Sequence, residues 1–189
     1  QRSSTHPENC GEMFQNGLAI TDLSRPQITV HIVRHKIRGK DLKLSAELVP
    51  STVWYSSLYR LLPREVWDSI RESIIKENGR KCQLCGEIEG TMNLHEIWEY
   101  DDTKHAQRLK GFILLCKMCH HIKHIGLAGI LANQGKLDYN ELMKHFCKVN
   151  RCSEKDFKKH VDDAFRVWRE RSNHQWKQDF GKYEEFIKK

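Results

Sequence analysis

KCQLCGEIEGTMNLHEIWEYDDTKHAQRLKGFILLCKMCHHIKHIG, residues 81–126, is the stretch of sequence that decides the fold. It contains two Cys-x-x-Cys pairs, Cys82/Cys85 and Cys116/Cys119. Four thiolates arranged in two pairs, each with a two-residue spacing, are typical of a tetrahedral structural Zn²⁺ site. These four cysteines are therefore the predicted zinc ligands.

The chain between and after the cysteine pairs predicts a β-hairpin followed by a helix. Thirty residues separate Cys85 from Cys116, which is enough for two strands and a turn. The strands are expected over residues 93–100 and 112–115, and the second Cys-x-x-Cys pair then leads into a helix that begins near Cys119.

Three histidines in this stretch require a separate explanation. His120 and His124 are four residues apart and point the same way on a helix, whereas Cys119 is turned by about 100° from His120. The thiolates can therefore bind one ion while the imidazoles bind a second ion or a phosphate. His95, on the expected strand, is the candidate for the third group. The alternative interpretation is a surface or zinc-supporting role for His120 and His124, and a core or zinc-supporting role for His95.

Composition limits the class of protein and its partners. The 189 residues include 32 Lys and Arg against 25 Asp and Glu, a net charge of +7 that favours a polyanionic partner. Four of the seven cysteines have metal-binding spacing, so we expect a reducing, cytoplasmic location without a disulfide framework. We expect no membrane span, because no apolar run approaches the roughly 18 residues that one requires.

The residues before the cysteine stretch form a predicted N-terminal segment, 1–62. Alternating apolar residues in ITVHIVRHKI (28–37) and LKLSAELV (42–49) predict a β-hairpin around a Gly-containing turn. Its other face is either an ordinary solvated face or a DNA-binding one, and it carries His31, Arg34, Lys36, Lys43 and Glu47. Residues 54–62 are expected to be helical. A further helix begins at Pro63, ends at Gly79 and opens the predicted core, 63–133.

Residues 134–189 form a predicted helical C-terminal extension. Sequences resembling capping boxes at 138–141 and 153–156 begin two helices, and the aromatic residues from Trp176 to Tyr183 suggest a third that packs back. The second helix has a basic face, which is either an ordinary solvated face or a surface that binds phosphates. Its members are Lys155, Lys158, Lys159, Arg166, Arg169 and Arg171.

A strand histidine between two Cys-x-x-Cys pairs, followed by LLCKMCHHIKH on a helix, resembles the zinc-stabilised HNH nucleases of the ββα-metal class. The resemblance covers about residues 80–126 and includes LHEIWEYDD and HIKHIGLA. It implies an α+β fold with a zinc-bearing ββα-metal core. It also implies hydrolysis of phosphodiester bonds with one divalent ion, Mg²⁺ or another, while a histidine activates water.

The family motif can be placed on this sequence in two registers. One makes His95 a metal ligand and puts Glu96 where the family has a histidine base, and the other makes His95 the base with Leu94 at the ligand position. Gly111 stands where the family usually has asparagine. The resemblance therefore implies a catalytic set made of His95, Glu96, His120 and His124.

The expected function is that of a metal-dependent endonuclease, with duplex DNA as its substrate. Cationic residues around the expected groove would favour a phosphodiester backbone; they are Lys104, Arg108, Lys110, Lys117 and Lys123. One alternative is a catalytically inactive HNH-like zinc module that binds nucleic acid or docks a protein. Another is an inhibitor or accessory subunit that binds a protein partner through its helical C-terminal half.

Overall fold

A long antiparallel β-hairpin organises the chain. The computed structural model describes residues 36–37 and 40–187, and within them the chain is of the α+β class, as predicted. The strands are β1 (Lys36–Ile37), β2 (Lys40–Asp41), β3 (Met92–Asp101), β4 (Ala106–Cys116) and β5 (Lys177–Asp179). The helices are α1 (Leu58–Leu61), α2 (Arg64–Asn78), α3 (Lys117–Lys123), α4 (Ile125–Asn133), α5 (Tyr139–Asn150) and α6 (Glu154–Ser172), with 3₁₀ helices at Ser51–Val53 and Gly181–Phe186.

The predicted central hairpin is confirmed and is longer than expected. Strands β3 and β4 pair from Met92 opposite Cys116 to Asp101 opposite Ala106. The Asp101 carboxylate accepts hydrogen bonds from the next backbone amides, at 3.1 Å from Thr103 N and 3.0 Å from Lys104 N. This local bonding closes the turn, as Asp side chains commonly do.

Helix α2 leads the chain into the first cysteine pair, as the sequence predicted. Pro63 precedes its first residue, and the Gly79 amide ends it by donating to the Ile75 carbonyl at 2.8 Å. Gly79 has a φ of 74°, a conformation that favours glycine. The apolar face of the helix packs on the sheet, where the Trp67 ring meets Phe112 edge to face at 5.8 Å.

Residues 42–49 are not the strand that their alternating pattern predicted. Strand β2 ends at Asp41, and an irregular extended segment follows it as far as Pro50. Leu42 and Leu44 are buried as expected, but side chains from other elements occupy the place of a strand partner. Asn150 Oδ1 accepts from Lys43 N and Leu44 N at 3.0 Å each, and Asn150 Nδ2 donates to Leu44 O at 2.8 Å.

Other parts of the N-terminal prediction have mixed outcomes. Most of the first predicted strand lies outside the described residues, which show only a two-residue pairing of β1 with β2. The helix expected over residues 54–62 is reduced to α1, a single turn. The residues just before that turn form a loop in which Trp54 and Tyr55 are exposed, so they lack a buried apolar face that would extend the helix.

Both predicted C-terminal helix starts are confirmed. The Asp138 carboxylate accepts from the Asn140 and Glu141 amides at the start of α5, and Ser153 and Asp156 form a reciprocal capping box at the start of α6. The predicted last helix is confirmed only in part, because just Gly181–Phe186 is helical. Strand β5 instead adds parallel to β4 and a 3₁₀ helix follows, because Trp176 and the aromatic residues after it pack against the sheet.

One hydrophobic core joins all three predicted segments. Leu114 and Leu115 from β4, Ile122 from α3, and Phe146 and Phe157 from α5 and α6 are almost completely buried in it. The core fixes α3 against the hairpin, so that the residues of β3 and α3 face each other. Within the described part of the chain, no helix has the length and hydrophobicity to cross a membrane.

Candidate metal centres

The four cysteines of the two Cys-x-x-Cys pairs meet at one point. Cys82 and Cys85 lie in the turn after α2, Cys116 ends β4, and Cys119 lies in the first turn of α3. Their sulfur atoms all lie within 4.8 Å of one another. The turn is held to the hairpin because Gln83 N donates to Leu114 O at 2.9 Å and Leu114 N donates to Gln83 Oε1 at 2.7 Å.

The sulfur spacing suits a tetrahedral metal ion. Cys85 Sγ and Cys116 Sγ are 3.6 Å apart. Metal–sulfur bonds of about 2.3 Å in a tetrahedron place the sulfurs about 3.8 Å apart. A disulfide would require about 2.05 Å. The four cysteines could therefore hold a metal ion, and the arrangement is compatible with structural zinc.

Protonation of the cysteine cluster also suits a cation. Hydrogen bonds from the Cys116 and Cys119 thiols hold the pKa of Cys82 well below its usual range. The pKa of Cys119 is raised, because its thiol donates to Cys116 and Cys82 and burial disfavours its charge. Thiolates are the form that binds a metal ion, so binding at this cluster would release the protons that its sulfurs carry.

His145 is a neighbour of this cluster that the sequence did not indicate. It lies on α5, and its Nε2 is 3.2 Å from Cys119 Sγ. An N–H donor at that distance reduces the negative charge on a thiolate. The position is set by packing between α3 and α5, so no local spacing in the sequence could have indicated it.

The three predicted histidines form a second cluster. His95 lies on β3, His120 lies within α3, and His124 is the residue that separates α3 from α4. One ring nitrogen from each lies within 4.8 Å of the other two. The ring centroids are 5.5 Å apart for His95 and His120, 4.8 Å for His95 and His124, and 4.6 Å for His120 and His124.

Burial keeps the two helix histidines neutral at pH 7. It lowers the pKa of His120 to about 4 and that of His124 to about 3, and the neighbouring His95 lowers both further. A neutral imidazole is the form that binds a metal ion. Both side chains remain partly exposed, so the cluster is accessible from solvent.

His95 supplies a buried nitrogen that has no partner. His95 is 5% exposed, and its Nδ1 forms no hydrogen bond with any residue that the structure describes. Buried polar atoms in proteins are nearly always paired, so an unpaired imidazole nitrogen beside two other imidazoles marks a place for a ligand. The donor set therefore fits a divalent ion that accepts nitrogen ligands, with open coordination positions.

Glu96 does not join the histidines, contrary to its predicted place in the site. Its Oε1 accepts a hydrogen bond from Leu58 N at 3.0 Å, at the start of α1. Consecutive strand residues point to opposite faces of a sheet, which separates Glu96 from His95. This carboxylate serves as the helix cap that Ser57 does not provide.

Glu47 is the carboxylate that approaches the cluster instead. Its Oε2 is 3.7 Å from His95 Nε2, and its Oε1 is paired with the ammonium of Lys123. Burial alone would raise its pKa, but the Lys123 ammonium and the nearby His95 imidazole hold the pKa of the Glu47 carboxyl well below its usual range. The sequence pattern had placed Glu47 on a solvated strand face. The alternation of apolar and polar residues could not show that Lys123 of α3 packs against this residue.

Gly111 has a conformational explanation. The β3–β4 register shifts at Ile97 and Trp98, which leaves one extra residue in β4 beside Gly111. Gly111 adopts a φ of 149°, a backbone conformation that residues with a side chain rarely adopt. An asparagine at this position would strain the bulge.

The predicted cationic surface is largely paired with acidic groups. Lys123 is buried, while Arg108 pairs with Asp179 and Lys110 with Glu99. On α6, Lys159 pairs with Asp163 and Arg166 with Glu170. Arg171 binds both oxygens of the Asp102 carboxylate and lies over the Tyr100 ring at 4.0 Å, so it belongs to the packed interior of that face.

The two clusters are thus adjacent in the chain and separate in space. Cys119 faces the sulfur cluster and the next residue, His120, faces the imidazole cluster, as the helical period predicted. Comparisons with protein-family models, with curated proteins and with solved structures gave no match to this chain.

Proposed function

We propose that this chain is a metal-dependent endonuclease that hydrolyses phosphodiester bonds, with duplex DNA as its substrate. The observation that carries the proposal is the cluster of His95, His120 and His124, in which a buried imidazole nitrogen has no partner among the described residues. A β-hairpin followed by a helix supplies these residues, in the order that the ββα-metal nucleases use. The motif resemblance in residues 80–126 supports the same reaction.

We assign structural Zn²⁺ to the four cysteines and a catalytic divalent ion to the three histidines. The zinc site joins the turn after α2 to the end of β4 and the start of α3, and so holds the hairpin and helix together. Imidazole ligands accept Mn²⁺, Co²⁺, Ni²⁺ or Zn²⁺ as well as Mg²⁺.

A divalent ion in the histidine cluster would stabilise the charge that develops on the phosphate and lower the pKa of water. His95 would hold it from the strand, and His120 and His124 from the helix. These elements are packed on each other through the core, so the three nitrogens keep their spacing without substrate. The partial exposure of His120 and His124 leaves room for a phosphate to approach.

A second candidate function is an HNH-like module without catalytic activity. Two observations favour it. The carboxylate of Glu96, at the base position of the motif, is engaged in a hydrogen bond from Leu58 N, and Gly111 replaces the asparagine. Such a module would keep the zinc site and bind nucleic acid or a protein.

A plasmid-nicking assay with added Mg²⁺ or Mn²⁺ tests the proposal. We expect the native protein to nick duplex DNA only with the metal, and His120→Ala to lower the rate at least about 100-fold, because a ligand to the ion is lost. His121→Ala is the matched control, since His121 is the next residue on α3 and lies outside the cluster. It should retain the native rate.

Two results would count against the proposal. Absence of metal-dependent cleavage on duplex, single-stranded and branched substrates would favour the inactive module. Cleavage that survives both His95→Ala and His120→Ala would place the active site elsewhere in the chain.

A further inference from the structure

Glu47 reaches the histidine cluster from a part of the chain that the motif does not include. It lies in the extended segment between β2 and the 3₁₀ helix at Ser51–Val53, more than 45 residues before His95 in the sequence. Its two carboxylate oxygens have different neighbours, His95 Nε2 and the Lys123 ammonium. The carboxylate therefore connects the strand histidine to the helix that carries the other two.

The segment that carries Glu47 is fixed on both sides of it. The Glu47 amide donates to the Lys123 carbonyl at 3.0 Å, and the Ala46 amide donates to His160 Nε2 at 2.9 Å. The buried Ser45 hydroxyl lies 3.4 Å from Glu47 Oε1 and 3.3 Å from Lys123 Nζ. Both the backbone and the carboxylate of Glu47 are thus held in place independently of His95.

This placement determines which nitrogen of His95 is available. A neutral imidazole has one N–H donor and one lone pair, and the partner of one nitrogen sets the role of the other. Nε2 is next to an anionic oxygen, which stabilises a proton on Nε2. Nδ1 is then the nitrogen with the lone pair, and it is also a buried atom with no hydrogen-bond partner in the described part of the chain.

We propose that Glu47 is a positioning residue for the histidine metal centre: it accepts the Nε2 proton of His95, so that Nδ1 binds the ion shared with His120 and His124. The proposal rests on the metal site of the proposed function, and it concerns metal binding rather than cleavage. At 3.7 Å the Glu47–His95 contact is longer than an ordinary hydrogen bond of about 2.9 Å. Ion binding at Nδ1 would make the Nε2 proton more acidic and so favour a shorter contact with the carboxylate.

A simpler role for Glu47 would be to neutralise the buried Lys123 ammonium. That role predicts that loss of the carboxylate affects stability and leaves metal affinity unchanged. Carboxylates that orient a ligating histidine typically contribute 10- to 100-fold in metal affinity. The two roles therefore differ in a measurable quantity.

The experiment is a Co²⁺ titration of the full chain with zinc retained in the cysteine site. Binding to the histidine cluster is followed by the visible absorption of Co²⁺. We expect Glu47→Gln to weaken Co²⁺ binding about 10- to 100-fold and to shift the absorption band. Glu99→Gln is the matched control, since it removes a carboxylate of the same strand as His95 that pairs with Arg108 and Lys110, and it should bind Co²⁺ as the native chain does.

Unchanged Co²⁺ affinity in Glu47→Gln, with a lower thermal stability, would overturn the proposal and leave only the pairing with Lys123. Failure of the native chain to bind Co²⁺ beyond the cysteine site would overturn the metal centre itself. Tight binding by the native chain that weakens in Glu47→Gln would support the inference even if no cleavage of DNA is found.

A nitrogen-detected NMR measurement covers the case in which Glu47→Gln fails to fold. In the native chain loaded with Zn²⁺ at both centres, His95 should be protonated on Nε2. Protonation on Nδ1 would overturn the proposal without any variant.

Discussion

Replacing Asn150 with alanine tests whether the segment that carries Glu47 is held by side-chain hydrogen bonds. Asn150 makes three such bonds to Lys43 and Leu44, and Leu44 is completely buried. Water can replace the exposed bond to Lys43 N. The two bonds to Leu44 contribute about 1 kcal/mol each, and their loss leaves the amide and carbonyl of Leu44 without these partners. We expect a loss of about 2–3 kcal/mol in the free energy of unfolding, or roughly 5–10 °C in Tm for a chain of this size.

Urea denaturation of the zinc-loaded protein measures this change. Asn140→Ala, at an exposed position of the same helix, corrects for the difference in helix propensity between asparagine and alanine. We also expect weaker Co²⁺ binding at the histidine cluster, because Glu47 lies three residues from Leu44. A change below about 0.5 kcal/mol relative to the control would refute the reasoning, since neither bond to Leu44 would then contribute its usual amount.

Two further predictions concern the cysteines and Glu96. Cys82→Ser should lose the one zinc ion of the cysteine site and unfold the region around α3, because metal binding contributes directly to folding. A variant that stays folded by circular dichroism after losing that ion would contradict this. Glu96→Ala should cost about 1–2 kcal/mol, since the Leu58 amide loses its cap, and should leave Co²⁺ affinity unchanged. A large loss of Co²⁺ binding in that variant would place Glu96 at the metal centre after all.

The sequence predicted those features that depend on local spacing. Two Cys-x-x-Cys pairs and an i, i+4 histidine pair carry their geometry within a few residues, and Cys119 and His120 face different clusters because the helical period requires it. The central hairpin and the caps at Asp138 and Ser153 also follow from short patterns.

The sequence failed where distant residues decide the outcome. Residues 42–49 alternate as a strand does, yet Asn150, His160 and Lys123 supply the partners, from more than 70 residues away. Glu47 was therefore assigned to a solvated face, and Glu96 was assigned to the site on the basis of a motif position. Similarly, Trp176 and the aromatic residues after it have a spacing that suits a helix, but the chain directly after Trp176 forms β5 by pairing with β4.

The single peptide bond between Cys119 and His120 has a thermodynamic consequence. The two residues lie in one short helix, so an ion at the sulfur cluster fixes the rotation of α3 about its axis, and that rotation sets the spacing of His120 and His124. Binding at the two centres should then be cooperative, and linkage requires the effect to be mutual. An ion held by the three histidines should strengthen zinc binding by the cysteines, and zinc in the cysteines should strengthen binding at the histidines by the same factor.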